Sequence, residues 1–382
     1  FFQKTLGPFF IHLMNYECLS YTKPDAPFIL LANHNTDFDP MLIGASFKDS
    51  FMYYVASDHI LRLGVLSKLL SYYLAPIPRR KGREDALTVI EIRRRLKKGC
   101  SLCFFPEGNK SFNGVTGKIV PSTGELVRRS GVDLITFRFE GGYLTAPRWG
   151  YGIRKGKMTG QMVGVYTADQ LKEMTSSQID ELISRDIFED TQVVRKRADI
   201  VYECKAPAKG LENALYMCPN CRKIGDMHSA KDRIICKCGY EAQYTKKGQL
   251  ICCDGRFGSI YEWDEWQRST LIGSADRQSF SDSGVFVRKE SGNTKGKKQK
   301  TVLSYSDYAL YYECKNRKVK IDMNDISDMA IYGRSNLVLS VHNNYYLFSS
   351  KGRFNAKKYL DLYSKLRCQK FSGSAAYTTR SL

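Results

Sequence analysis

Two short apolar runs constrain this chain most. Phe28–Ala32 and Leu102–Phe105 are almost uninterrupted hydrophobic stretches, and each breaks directly into a polar turn. Runs of this length, too short for helices and flanked by turn residues, predict strands buried on both faces of a covered sheet. Helical patterns lie between them. Pro40–Phe47 is entered through Asp39 and Pro40, and Ala86–Leu96 closes on a basic turn and Gly99. A further strand is expected at Leu134–Phe139, and a helix at Ser176–Phe188 closes the region at about residue 205. Strands alternating with helices predict an α/β layer fold, a mixed sheet with flanking helices, over residues 1–205. Phe1–Asn15 reads as one more helix, interrupted at Gly7-Pro8. It suits packing on its own core and lying in a membrane interface equally well.

The turns after the two apolar runs carry the chemistry. The first is Asn33-His34-Asn35-Thr36-Asp37-Phe38-Asp39-Pro40. A loop of this length can return the Asp39 carboxylate to the His34 imidazole. The carboxylate would fix the tautomer and raise the basicity, leaving the other nitrogen to take a proton from a hydroxyl. Asp39 before Pro40 equally reads as a helix N-cap. The second is Phe104-Phe105-Pro106-Glu107-Gly108-Asn109-Lys110-Ser111, which exposes a carboxylate, a glycine and a cation at a strand end. Taken alone it is a tight polar turn. Ligands of open α/β sheets bind outside the carboxyl ends of the strands, where both turns fall.

Together these motifs resemble the glycerolipid acyltransferases, the bacterial-type 1-acylglycerol-3-phosphate acyltransferases. That family's first motif is His, four residues, Asp, met by His34 and Asp39. Its third is Phe-Pro-Glu-Gly followed by Thr-Arg-Ser, met by Phe105, Pro106, Glu107, Gly108 and Ser111, with Asn109 and Lys110 in place of Thr and Arg. Its second motif ends in an arginine, in the place occupied here by Pro76-Ile77-Pro78-Arg79-Arg80; Arg80 fits that register better than Arg79. The Val-Pro-Ile-like core of the fourth motif is replaced by Leu134–Phe139, without the proline. The agreement in order and spacing covers residues 1–150. The resemblance implies transfer of a fatty acyl group from acyl-CoA or an acyl carrier protein thioester to the hydroxyl of a lysophospholipid. It makes His34 the general base and Asp39 its partner, and it has Arg80, Arg79, Glu107, Gly108 and Lys110 hold the acceptor's glycerol and phosphate. Neither motif holds a Ser or Cys placed to carry the acyl group, so no acyl-enzyme is expected.

Residues 206–255 read as a different unit. Cys218-Pro-Asn-Cys221 and Cys236-Lys-Cys238 stand fourteen residues apart, a spacing that suits a structural four-thiolate zinc site in a ribbon. The second pair has one intervening residue instead of two. His228 lies between the pairs and reads as a solvated loop residue, since four thiolates complete the shell. The remaining cysteines are scattered, which fits a reducing compartment better than a disulfide framework. Ser291–Lys300 is rich in glycine and lysine and reads as a loop or disordered insertion. Val302–Phe348 reads as short strands and Phe354–Leu366 as an amphipathic closing helix. Residues 270–370 are therefore expected to form a β-rich domain that resembles pleckstrin-homology-like or GRAM-like folds, fit equally for lipid docking and for protein binding or simple stabilisation.

The formal charge is +20. Residues 1–165 carry 23 basic and 13 acidic side chains, residues 166–270 carry 16 and 17, and residues 271–382 carry 20 and 9. The ends are basic and the ribbon region is neutral. A zinc-ribbon nucleic-acid-binding protein is therefore the weaker alternative, and no nucleic acid is expected as a partner. A lipid-binding protein that keeps the fold without turnover is a third reading, opposed by the intact His34/Asp39 pair. No run of eighteen apolar residues exists, so no spanning helix is expected. The chain opens on Phe, and its natural start is expected upstream. An acceptor with one long chain resides in a bilayer, so the enzyme is expected to dock peripherally on an anionic membrane surface, at its cytoplasmic face.

Overall fold

The computed structural model describes the chain except residues 1–5, 19–20, 22–26, 48–49, 58–75, 80–85, 198, 274–277, 292–293, 315–316, 343, 353, 365 and 367–382. The chain divides into two compact units. Phe1–Arg80, Glu84–Pro207 and Thr245–Gln249 form one; Lys81–Arg83, Ala208–Tyr244 and Leu250–Leu382 form the other.

The first unit is built on a seven-stranded mixed sheet. Its strands are β1 (Tyr16–Cys18), β2 (Phe28–Ala32), β3 (Met52–Ser57), β4 (Ile77–Arg79), β5 (Ser101–Phe104), β6 (Asp133–Glu140) and β7 (Met158–Tyr166), in the spatial order β1-β7-β6-β2-β5-β3-β4. All neighbours are parallel except β6 and β7. β2 lies between β5 and β6, and all five of its residues are buried. Its alternate side chains enter two different cores. Phe28, Leu30 and Ala32 join Phe137, Phe139, Leu42 and Ile43 on one face; Ile29 and Leu31 join Leu102, Ile92, Leu96 and Ile183 on the other. That double burial is why the run lacks polar alternation. The helices over these faces include α1 (Leu6–Met14), α2 (Asp39–Ser46), α3 (Ala86–Lys97) and α7 (Ser176–Asp186); the short helices α4 (Thr123–Arg128), α5 (Gly142–Thr145) and α6 (Ala168–Glu173) come between the last two, and α8 (Thr191–Arg197) follows. The expected elements of this region are present with ends moved by a few residues; the first five residues of the expected Phe1–Asn15 helix lie outside the described residues, and α1 runs through Gly7 and Pro8 without a break. β1, β3, β4, β7 and the helices α4, α5, α6 and α8 are additions to them. Gly160 of β7 is required by packing, since a Cβ there would lie 2.1 Å from the Tyr16 hydroxyl and 2.8 Å from Phe137.

The second unit contains a four-stranded antiparallel sheet and a larger antiparallel one. The small sheet comprises β8 (Met227–Ala230), β9 (Arg233–Cys236), β10 (Glu241–Tyr244) and β11 (Leu250–Cys252), followed by helix α9 (Ile260–Gly273). The large sheet runs β16-β15-β14-β12-β19-β18-β17, with β13 paired to β12. These are β12 (Phe280–Ser291), β13 (Thr294–Lys295), β14 (Gln299–Ser306), β15 (Ala309–Cys314), β16 (Arg317–Asp322), β17 (Ile326–Tyr332), β18 (Asn336–Val341) and β19 (Asn344–Ser350). Residues 357–364 form the closing helix. The strands of the β region thus begin at Phe280, before the expected Val302, and the Ser291–Lys300 stretch is not all loop: β13 lies within it and β14 begins at Gln299. Strand pairing with β12 overrides the stretch's poor intrinsic preference. The segments read as a separate ribbon and β domain fall largely in this one unit. A buried polar cluster ties them. Gln267 of α9 donates to the Ala214 carbonyl and accepts the Tyr216 N–H, while Lys357 bridges Asp264 at 2.5 Å and Asp361 at 2.7 Å.

Candidate active site and metal centre

β2 and β5 are adjacent and parallel, with Leu31 opposite Phe104. The turns that follow them therefore emerge side by side at the carboxyl edge of the sheet. His34 lies two residues past the end of β2, and its ring stacks on Phe105 with centroids 4.3 Å apart. Its Nδ1 is 2.9 Å from Asp39 Oδ2, which leaves Nε2 without a hydrogen-bond partner among the described residues. Asp39 is fully buried. Its carboxylate also accepts the backbone N–H groups of Asn35 and Thr36 at 2.7 and 2.9 Å and the Thr36 hydroxyl at 2.6 Å. These donors precede the helix. The residue preceding α2 in the capping position is Phe38, which makes no side-chain cap, so the N-cap reading of Asp39 is not the one the geometry takes.

Glu107 clamps the two turns together. One carboxyl oxygen accepts the His34 backbone N–H at 2.7 Å and the other accepts that of Gly117 at 2.6 Å. Burial pushes its carboxyl up to about 8, against the pull of these two donors. Gly108 follows in the left-handed region, at φ +70°, where the turn after Glu107 demands it. A methyl group on Gly108 would lie 3.6 Å from Arg79 Nη1, so the end of β4 reaches this turn. Arg80, the better fit to the family register, lies outside the described residues. Lys110 is mostly enclosed and pairs with Asp37 at 2.6 Å.

Three participants escaped the sequence reading. Arg148 is buried, donates to the Lys110 carbonyl at 3.0 Å, and lies 4.4 Å from the Phe112 ring centre. Burial lowers its pKa to about 10, so it stays cationic at neutral pH. Asn33 and Glu189 lie behind His34. Glu189 accepts the side-chain amides of Asn33 and Asn35 at 3.2 and 2.6 Å and the Gly141 N–H at 2.9 Å. Burial raises this carboxyl also to about 8. Asn33 stands beside His34 in the sequence and could have been suspected. Glu189 is 154 positions from Asn35 and Arg148 is 38 from Lys110, and no local pattern marks either.

Cys218, Cys221, Cys236 and Cys238 converge in the second unit, with all four sulfurs within 4.8 Å of one another. Cys218 Sγ lies 3.6 Å from Cys238 Sγ, and Cys221 Sγ lies 3.7 Å from Cys236 Sγ. Four thiolates at about 2.3 Å from a tetrahedral ion would stand roughly 3.8 Å apart, so the donor set fits one. The single residue between Cys236 and Cys238 does not prevent this. Gly239, at φ +89°, turns the chain there and donates to the Cys236 carbonyl. His228 is on β8, outside the cluster.

No curated protein matches the sequence. Solved structures similar to parts of it include two of different kinds. One is the 1-acyl-sn-glycerophosphate (LPA) acyltransferase PlsC from Thermotoga maritima, with 18% identity and a TM-score of 0.41, over 49% of this chain and 76% of that one. The other is the N-terminal PH domain of the human ARAP2 protein, with 16% identity and a TM-score of 0.18, over 27% of this chain and 85% of that one. Residues 14–140, about a third of the chain, match the family model described as Acyltransferase. That match supports an acyltransferase domain in the segment that contains every motif residue from His34 to Lys110.

Proposed function

We propose that the first unit transfers a fatty acyl group from a thioester, acyl-CoA or an acyl carrier protein, to the hydroxyl of a lysophospholipid such as 1-acylglycerol 3-phosphate. One observation carries this reading: an imidazole whose Nδ1 is held by a buried carboxylate, at the carboxyl edge of the sheet within the matched segment. His34 Nε2 takes the proton of the acceptor hydroxyl as its oxygen attacks the thioester carbonyl. The tetrahedral intermediate collapses, the carbon–sulfur bond breaks, and the departing thiolate takes a proton back from His34. Asp39 orients the ring and stabilises its cationic form. Arg79 and Lys110 lie at the turn and would attract the acceptor phosphate, with Arg80 next to Arg79 in sequence. Lys110 supplies a point charge where the family's arginine would supply a planar fork.

Zinc is the proposed ion of the four-cysteine cluster. Such a closed thiolate site stabilises a fold and leaves no coordination position for substrate. The β-rich region of the second unit is proposed as a pleckstrin-homology-like module. No described helix is long and apolar enough to cross a membrane. Peripheral docking on an anionic, cytoplasmic-facing surface is part of the proposal, motivated by the net +10 of residues 1–165 and +11 of residues 271–382. The test is incubation with labelled acyl-CoA or acyl carrier protein thioester and a panel of lysophospholipids. A labelled diacyl product is expected, and free fatty acid alone would point to a hydrolase instead.

A further inference from the structure

Residues 33–36 carry His34 on no helix or strand of their own. Two buried carboxyls hold them. Glu107 takes the His34 backbone N–H from the β5 side. Glu189 reaches the loop from beyond α7. Its Oε2 accepts Asn35 Nδ2 at 2.6 Å and Asn33 Nδ2 at 3.2 Å, and its Oε1 accepts the Gly141 N–H at 2.9 Å. Asn33 in turn brackets the end of β6, donating to the Phe139 carbonyl at 2.9 Å and accepting the Phe139 N–H at 2.8 Å. The backbone of Glu189 is itself pinned to Thr116: its N–H donates to the Thr116 hydroxyl at 2.8 Å, and its carbonyl accepts the Thr116 N–H at 2.9 Å. The side chains on both sides of His34 thus end on one enclosed carboxyl.

We propose that Glu189 is a positioning residue for acyl transfer: through Asn33 and Asn35 it fixes the loop on which His34 stands, so that the ring keeps its bond to Asp39 and its aim at the acceptor. This rests on the proposed role of His34. Enclosing a carboxyl is costly, and an apolar side chain would fill the same space without that cost. The cost is met here by three N–H donors, two of which are the side chains flanking the candidate base. Glu189 contacts Asn33, Asn35 and Gly141 rather than the ring, so its influence passes through the loop. A shift of about 1 Å in a reacting group lowers a rate about a hundredfold.

The test compares Glu189→Ala, Glu189→Gln and Asn35→Ala with the wild type in steady-state transfer and by proton NMR. The downfield Nδ1–H signal of His34, assigned by its loss in His34→Gln, reports the bond to Asp39 without any substrate. Expected are a fall in kcat of about a hundredfold for Glu189→Ala, a smaller fall for Glu189→Gln, which keeps one acceptor oxygen, and about tenfold for Asn35→Ala. KM should stay within about twofold throughout, and the His34 signal should broaden in the same order. The effects of Glu189→Gln and Asn35→Ala should be less than additive, because both break one link. If Glu189→Ala does not fold, the other two variants decide. A lowered melting temperature with unchanged kcat and an unchanged His34 signal overturns the proposal, and so does a rise in KM at constant kcat. A wild type that transfers nothing overturns the acyltransferase reading instead. The NMR signal then still decides whether Glu189 holds the loop.

Discussion

The His34 site and the cluster around Lys357 both bury carboxylates, and they compensate them in opposite ways. Asp39, Glu107 and Glu189 meet backbone N–H groups, asparagine amides, a hydroxyl and the imidazole. Asp264 and Asp361 meet the Lys357 ammonium, Gln267 and the Tyr216 hydroxyl donate to them as well, and Arg268 lies 3.8 Å from Asp361. In the first region the facing groups are neutral donors and the His34 ring, and burial raises the Glu107 and Glu189 carboxyls to about 8. In the second the Lys357 ammonium pairs with both carboxylates, which makes a rigid and chemically quiet fastening. The difference between a reactive site and a fastening therefore lies less in the carboxylates than in what faces them.

The largest effect that would break the comparison is loss of the proposed ion from the second unit. Structural zinc contributes on the order of 10 kcal/mol to the folding of small cysteine-rich units. Cys218→Ser should release the metal and unfold the segment 218–252, read by metal analysis and calorimetry. Reduced protein prepared without chelator and found to hold no metal would remove the ion from the picture.

His34→Ala comes next. Removing a general base costs about 10²- to 10⁴-fold in rate. Because the His34 side chain is 22% exposed and stands on a loop, the melting temperature should hardly move. Lys357→Met should do the reverse. It takes the shared ammonium from both buried carboxylates and leaves Asp361 with Arg268 at 3.8 Å, at a cost of about 3 kcal/mol. Transfer measured below the melting transition should be unaffected. Equal losses of rate in the two variants would mean that the division between site and fastening is false.

How much of this was legible beforehand follows from sequence separation. The His34–Asp39 bond closes over five residues, and the apolar run before it betrays its strand, so both could be read directly. The two cysteine pairs were legible for the same reason. Glu189 was not, because its meaning depends on Asn35, which reaches it only after β6 and α7 have been placed. Lys357 and Asp264 are 93 positions apart, and in a closing amphipathic helix a lysine is ordinarily solvated. β7 was hidden by its glycines. Gly160 and Gly164 lower strand preference, yet packing demands them, since a Cβ on Gly164 would lie 2.6 Å from the Tyr166 hydroxyl. β12 was hidden by Asp282, whose partners Lys358 and Tyr359 come from the far end of the chain.

The smallest expected effect sharpens the comparison at the turn after Glu107. Gly108 has φ +70°, and a methyl group there would meet only Val120 at 3.4 Å and Arg79 at 3.6 Å, ordinary contact distances. Gly108→Ala therefore adds left-handed strain without a clash, about 1–2 kcal/mol. If the turn simply tolerates that strain, the melting temperature of the first unit drops slightly and kcat is unchanged. If it relaxes by moving φ, Glu107 is drawn off the His34 N–H, and kcat should fall by less than about tenfold, since Asp39 and Glu189 still hold the loop from the other side. We expect the second result, with a rise in KM for the phosphate-bearing acceptor because Arg79 lies against the same turn. Steady-state kinetics with acceptors carrying and lacking the phosphate separates the two effects: the kcat change should appear with both, and the KM change only with the first.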